Sequence, residues 1–325
     1  MPQQLFVFIQ LELPWKLGPA DGRYLIRRND DGEPEHVVVL GTLEATGRPI
    51  GAPAGAGRGG VWLPRRLRAR PRSVAAEPEP ASVSTTRVTV IDPVSLSAES
   101  QARAWLAELD REREVGAAVK VVNRVIHAHR IAAADPSVHE VAASQALVIR
   151  AGWGEGEQVA DGRWLHARGL PWHHGRGAGA GPAAARRGPG RDRSWALRPQ
   201  ERLAALLGAR GAALVCEELA LRARQDLDHG RLTHAALELD RALALAVPEL
   251  QGERRQDLAI RIAELEQLSP GVHAQAQLAL PSNHAGADAA DADEPRGALD
   301  EDVVSHALGR LEAALRARTA AGIDH

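Results

Sequence analysis

The spacing of apolar residues differs between the two halves of this chain, and that difference limits what it can fold into. Up to about residue 168, one helical stretch over 98–134 aside, the apolar positions alternate with a period of two, and after residue 195 they recur at intervals of three and four. A period of two places side chains on alternate faces of a strand, whereas 3.6 gathers them on one stripe of a helix. The pattern predicts an α+β protein: an antiparallel sheet with a covering helix, followed by a helical C-terminal half.

Within the first part, Leu5, Val7, Ile9, Leu11 and Leu13 share one face of a strand, with Phe6, Phe8, Gln10 and Glu12 on the other. Pro14 and the Gly18 to Gly22 cluster turn the chain, Arg23 to Arg28 returns it, and Asn29-Asp30-Asp31-Gly32 turns it again. His36 to Leu43 then completes an expected three-stranded meander, the smallest sheet that holds together with a helix on one face. Thr86 to Ile91 and Ala146 to Trp153 read as further strands. Between them Ala102, Leu106, Leu109, Val119, Val122 and Ile126 trace a helix face over 98–134, with Ser97 as its cap, Gly116 as a break and Asp135-Pro136 as its end. His127 and His129, two residues apart on that helix, point about 200° apart, so one packs, one is solvated, and no metal is shared.

Two short stretches echo each other. Ala20-Asp21-Gly22-Arg23-Tyr24-Leu25 follows the first strand as Ala160-Asp161-Gly162-Arg163-Trp164-Leu165 follows the strand ending at Trp153. Each predicts a hairpin whose return strand opens at Asp-Gly. Gly152-Trp153-Gly154-Glu155-Gly156 reads as a glycine-rich turn, and Glu155 and Glu157 set it against binding a pyrophosphate.

Periodicity is lost over 46–82 and again over 169–197, an insertion and a linker rich in Gly, Pro, Ala and Arg. Arginines over 58–72 lie beside Trp62, and those over 176–193 lie between Trp172 and Trp195. Arginine interleaved with aromatics is what single strands of nucleic acid use for phosphate neutralisation and base stacking, which supplies the alternative functional reading. Only two lysines, Lys16 and Lys120, accompany the arginines, and a net charge of −2 gives the whole chain no field that gathers a polyanion.

The second part divides into a helical domain over 198–270, an acidic tether over 271–298 and a final helix over 299–325, after a sheet domain over 1–168. Pro199 suits the first turn of a helix through Leu203, Leu206 and Leu207. Ala212, Cys216, Leu219, Ala223 and Leu227 then fall on one face, Gly230 stops that helix, and Ala235, Leu239, Ala242 and Ala246 form the stripe of its partner, ended by Pro248. Leu258, Ile262 and Leu265 mark another helix, ended at Ser269-Pro270, and Val304, Leu308, Leu311 and Leu315 mark the last. That last stripe requires a docking surface on its own helical half or on another copy.

The pair over 212–248 resembles a tetratricopeptide-type helical hairpin through Ala223, Gly230, Leu232, Ala235, Leu239 and Ala242. Arg222, Asp226 and the position of Pro248 depart from that pattern, and no second copy with the same spacing follows. In such an arrangement the first helix lines the recognition groove, so the resemblance places Glu217, Ala220, Arg224 and Leu227 on the side that meets a partner.

Several chemistries find no support. Cys216 lies on an apolar stripe and has no second cysteine for a disulfide or a zinc site. Gln10 and Glu12 interrupt the N-terminal apolar run, which fits neither a signal peptide nor a membrane span, so a cytoplasmic location is expected. The sequence holds no Gly-x-Ser-x-Gly elbow, phosphate loop or His-Glu-x-x-His, which weighs against an enzyme; Glu155, Asp161 and His166 would have to converge at one hairpin mouth. No cofactor and no metal ligand set is assigned. What remains is an interaction or regulatory scaffold that uses its C-terminal helices on a protein partner or on itself.

Overall fold

The computed structural model describes residues 4–44, 84–159, 161–172, 199–280 and 298–321. The insertion over 46–82 and nearly all of the 169–197 linker, with their arginines, lie outside the described residues. Six strands form one antiparallel sheet: β1 (Leu5–Leu13), β2 (Gly22–Ile26), β3 (His36–Glu44), β4 (Ser84–Ile91), β5 (Val148–Glu155) and β6 (His166–Gly169), in the order β2-β3-β4-β1-β5-β6. The helices are α1 (Glu99–Ala107), α2 (Arg111–Ala133), α3 (Pro199–Leu207), α4 (Val215–Asp228), α5 (Leu232–Gly252), α6 (Ala259–Ala279) and α7 (Glu301–Ala321). The α+β class with a helical C-terminal half follows the hydrophobic period.

The expected meander is corrected. β1 does not pair with β2; it lies in the middle of the sheet, with Gln10 opposite both Thr89 of β4 and Arg150 of β5. A strand buried on both faces needs partners on both edges, and β1 is buried at nearly every position, whereas β2 is largely exposed and takes an edge. The first Asp-Gly echo is therefore no hairpin with β1. The second does join paired strands, β5 and β6, through a short 3-10 turn at Gly156–Val159.

One face of the sheet carries Leu5, Val7, Ile9, Leu11 and Leu13 into a core with Val122 and Ile126 of α2 and Ala102 and Leu106 of α1. The helical stretch expected over 98–134, with a break at Gly116, is two helices, and the break falls before Arg111, at the Asp110 cap, rather than at Gly116. Asp110 accepts the Arg113 amide at 3.2 Å, and Ser97 caps nothing; its amide and hydroxyl meet Gln101 instead. Asp110→Ala removes that cap and is expected to lower stability by about 1 kcal/mol, read as a shift in the urea midpoint. His127 is exposed and His129 half-buried beside Gly18, where burial lowers its proton affinity.

On the opposite face Phe8, Ile91 and Val159 form a small second core under Trp164. Beside it the polar side chains of three central strands satisfy one another. Gln10 donates to Thr89 at 3.0 Å, Arg150 donates to Gln10 and to Glu12 at 2.7 Å, and Arg87 donates to Glu12 at 3.1 Å. Burial alone would raise the Glu12 pKa, but Arg150 and Arg87 outweigh it and hold the carboxyl below its ordinary value of 4.5. A lowered folded-state pKa means that the folded state binds this proton less tightly than the unfolded chain. Its stabilisation is present above about pH 4.5 and is lost as pH falls through the folded value. Glu12→Gln is therefore expected to flatten the loss of stability as pH falls from about 5 to about 3, measured by denaturation at each pH.

Two prolines fall inside helices that were expected to end at them. α5 runs through Pro248 because Ala246 and Leu250, on either side, are both fully buried; α6 runs through Pro270 with Leu265 and Val272 likewise buried. Continuous burial of the stripe outweighs the missing backbone hydrogen bond. At the second site Ser269 Oγ donates to the Leu265 carbonyl one turn back. α6 thus extends well into the stretch read as an acidic tether.

Candidate functional site: a groove that holds the last helix

α4, α5 and α6 are consecutive antiparallel helices. Gly230, at φ 70°, makes the turn between the first two, a backbone conformation glycine takes without strain. Ala220, Ala223, Ala235, Ala236, Ala242 and Ala246 are all buried between them, and such small residues allow close approach of the axes. The exposed amides at the start of α4 are met by carboxylates: Glu217 accepts from Leu214 at 3.0 Å, and Glu249 of α5 accepts from Val215 and Cys216 at 3.1 Å each. Cys216 itself is fully buried, and burial with Glu249 alongside pushes its thiol pKa far up, which makes it inert packing.

α7 lies antiparallel to α6 and also touches α4 and α5. Of the stripe that the sequence required to dock somewhere, Val304, Leu308 and Leu311 are fully buried there and Leu315 packs partly buried beside them; Ala307 and Ala314 are fully buried with them. Burying the large members of that stripe contributes about 6 to 10 kcal/mol gross, before the ordering of the helix is subtracted. Asp300 caps the helix through the Asp302 amide at 2.9 Å, and its own amide donates to Gln275 of α6. At the far end Arg255 donates to the Arg318 and Ala317 carbonyls at 2.6 and 3.2 Å, closing the last turn.

Charged pairs fix the seat. Arg224 of α4 forms a two-pronged pair with Glu312 of α7, both contacts at 2.8 Å. The Glu312 residue is only 8% exposed, and burial pushes its carboxyl above the ordinary carboxylate range despite the opposing pull of Arg224. Arg318 of α7 reaches Glu253 and, at 3.4 Å, Glu217; Arg310 pairs with Glu264 of α6.

These contacts locate the four residues expected to face a partner. Glu217 and Ala220 are 4% and 3% exposed, Arg224 is engaged by Glu312, and Leu227 packs partly buried against the helical core. They form no open surface: Glu217 and Arg224 lie where this chain's own α7 is seated. Sequence reasoning missed Glu312, Arg318 and Arg255. Glu312 did carry a signal, an acid wedged between Leu311 and Leu315 on the edge of an apolar stripe.

Glu217 also connects this site to the sheet half. It pairs with Arg202 of α3, and α3 packs Leu203 and Leu207 into the core of the sheet half rather than into the helical core. Arg202 donates further to the Ile131 carbonyl at the end of α2. Arg130 of α2 pairs with Glu218 at 2.8 Å, beside a polar cleft of about 330 Å³ lined by His127, His139, Glu140 and Arg222. Elsewhere Asp161 is paired with Arg23 at 3.0 Å, and His166 stacks on Trp153 with ring centres 4.7 Å apart.

Among the described residues no group of three or more His, Cys, Asp or Glu could hold a metal ion, and no helix is long and apolar enough to cross a membrane. No protein-family model, curated protein or solved structure matches this chain.

Proposed function

We propose that this protein is an interaction scaffold whose groove on α4, α5 and α6 receives an amphipathic helix, with α7 as its resident occupant. The observation that carries this reading is the way α7 is joined to the rest. Asp300 sits against Gln275, within about one turn of the end of α6, yet twenty-one residues, 280–300, connect the two helices. Antiparallel neighbours so close need only a few connecting residues. The same connection fully extended spans up to about 70 Å, so its length permits α7 to leave the groove without breaking the chain. A tethered helix competes at an effective concentration on the order of millimolar, so the resident raises the affinity that any visitor must reach.

The test keeps the whole protein. A protease site is introduced within 281–297, the folded chain is cut there, and a labelled peptide of residues 298–321 is added. Exchange of the labelled helix into the cut chain at micromolar concentration, with much weaker uptake by the uncut chain, is the expected result. A cut chain that never exchanges its last helix, or that unfolds on losing it, would count against the reading.

A further inference from the structure

Resting on that reading, we infer that the partner of this groove is an amphipathic helix that carries a carboxylate on one edge of its apolar stripe, with a cation two residues before it and another six residues after it, docked antiparallel to α6. The apolar stripe alone does not specify this, because Leu and Ala surfaces accept a helix in either direction and in several registers. The charged seats do specify it. Around Leu311, which is fully buried, successive residues turn by about 100°, so Arg310 and Glu312 leave opposite edges of the stripe. One meets Glu264 on α6 and the other meets Arg224 on α4. A helix turned by one residue would bring neither charge to its seat, and a reversed helix would bring its N-terminal amides, rather than carbonyls, against the donor Arg255.

The seats differ in weight because they differ in burial. The Glu312 and Arg224 side chains are 9% and 17% exposed, Arg318 and its partner Glu253 are 16% and 25%, and Arg310 and Glu264 are 41% and 32%. A buried, two-pronged pair leaves an unmet charge when one member is neutralised, whereas a half-exposed pair is mostly restored by water. The partner's carboxylate is thus its main determinant, the second cation follows, and the first cation adds little.

The experiment uses the full chain cut within 281–297 and three further 298–321 peptides. Glu312→Gln should bind about ten- to a hundredfold more weakly than the unaltered peptide. Arg318→Gln should fall between, and Arg310→Gln should lose less than about fivefold. A chain carrying Arg224→Glu should prefer the Glu312→Arg peptide over the unaltered one. The inference is overturned if the unaltered peptide exchanges and Glu312→Gln exchanges equally well, or if the reversed pair restores nothing. Failure of the unaltered peptide itself would instead remove the groove reading beneath it.

Discussion

Replacing Arg224 by Glu in the intact protein is expected to release α7 from its groove while leaving the sheet half folded. The substitution removes both hydrogen bonds to Glu312 and sets a second negative charge against a carboxylate that is 8% exposed. Removing one member of a buried pair costs about 3 to 5 kcal/mol, a large fraction of the about 6 to 10 kcal/mol gross that burial of the stripe contributes. Asp228, on the same face of α4, adds to the repulsion. The release would be read by protease cleavage within 301–321 under conditions where the parent resists. Combining Arg224→Glu with Glu312→Arg should restore resistance, because the pair is then reversed rather than broken.

The second large effect is expected at Gly152. A methyl group there would stand 2.2 Å from the His166 carbonyl oxygen and 2.8 Å from the Ala167 Cα, both backbone atoms of β6, and 3.0 Å from the Phe8 ring. No rotation of a side chain relieves a clash with backbone, so Gly152→Ala must push β6 off β5. Gly154 is crowded less severely, with a Val159 side-chain methyl at 2.8 Å and the Trp164 Cα at 3.1 Å. Of the glycines read as a turn, Gly152 and Gly154 are therefore inside β5, where another segment of the chain passes close to the strand, and only Gly156 begins the turn itself. Such crowding is expected to cost about 3 kcal/mol or more. The measurement is the thermal midpoint together with the near-ultraviolet signal of Trp153 and Trp164, which should change together.

Much of this molecule was legible in its residues, and the failures have physical causes. Alternation in β1 and the stripes of α4, α5 and α7 gave the elements, because burial imposes a period that the sequence must carry. Strand order was not legible. Which strand pairs with which is decided by contacts such as Gln10 to Thr89, 79 residues apart, that no local pattern encodes. Phe6 and Phe8 on the second face were the residues that could have told a central strand from the start of a meander. The prolines misled for the opposite reason: local propensity favours a helix end at Pro248 and Pro270, and buried stripes on both sides overrule it. At the groove, the tetratricopeptide resemblance placed Glu217 and Arg224 on the side that meets a partner, and the apolar stripe of α7 required a docking surface. That these two needs answer each other rests on pairing between residues 88 positions apart, Arg224 and Glu312, which becomes visible only once the helices are packed.

If α7 leaves its groove as a unit while the rest of the fold stays intact, amide hydrogen exchange of the full chain will show it. The account predicts that the amides of 301–321 exchange together, well before those of α5 and β1, and that Arg224→Glu accelerates this group and leaves β1 unchanged. Protection of α7 equal to that of α5, lost only when the whole helical half unfolds, would contradict it.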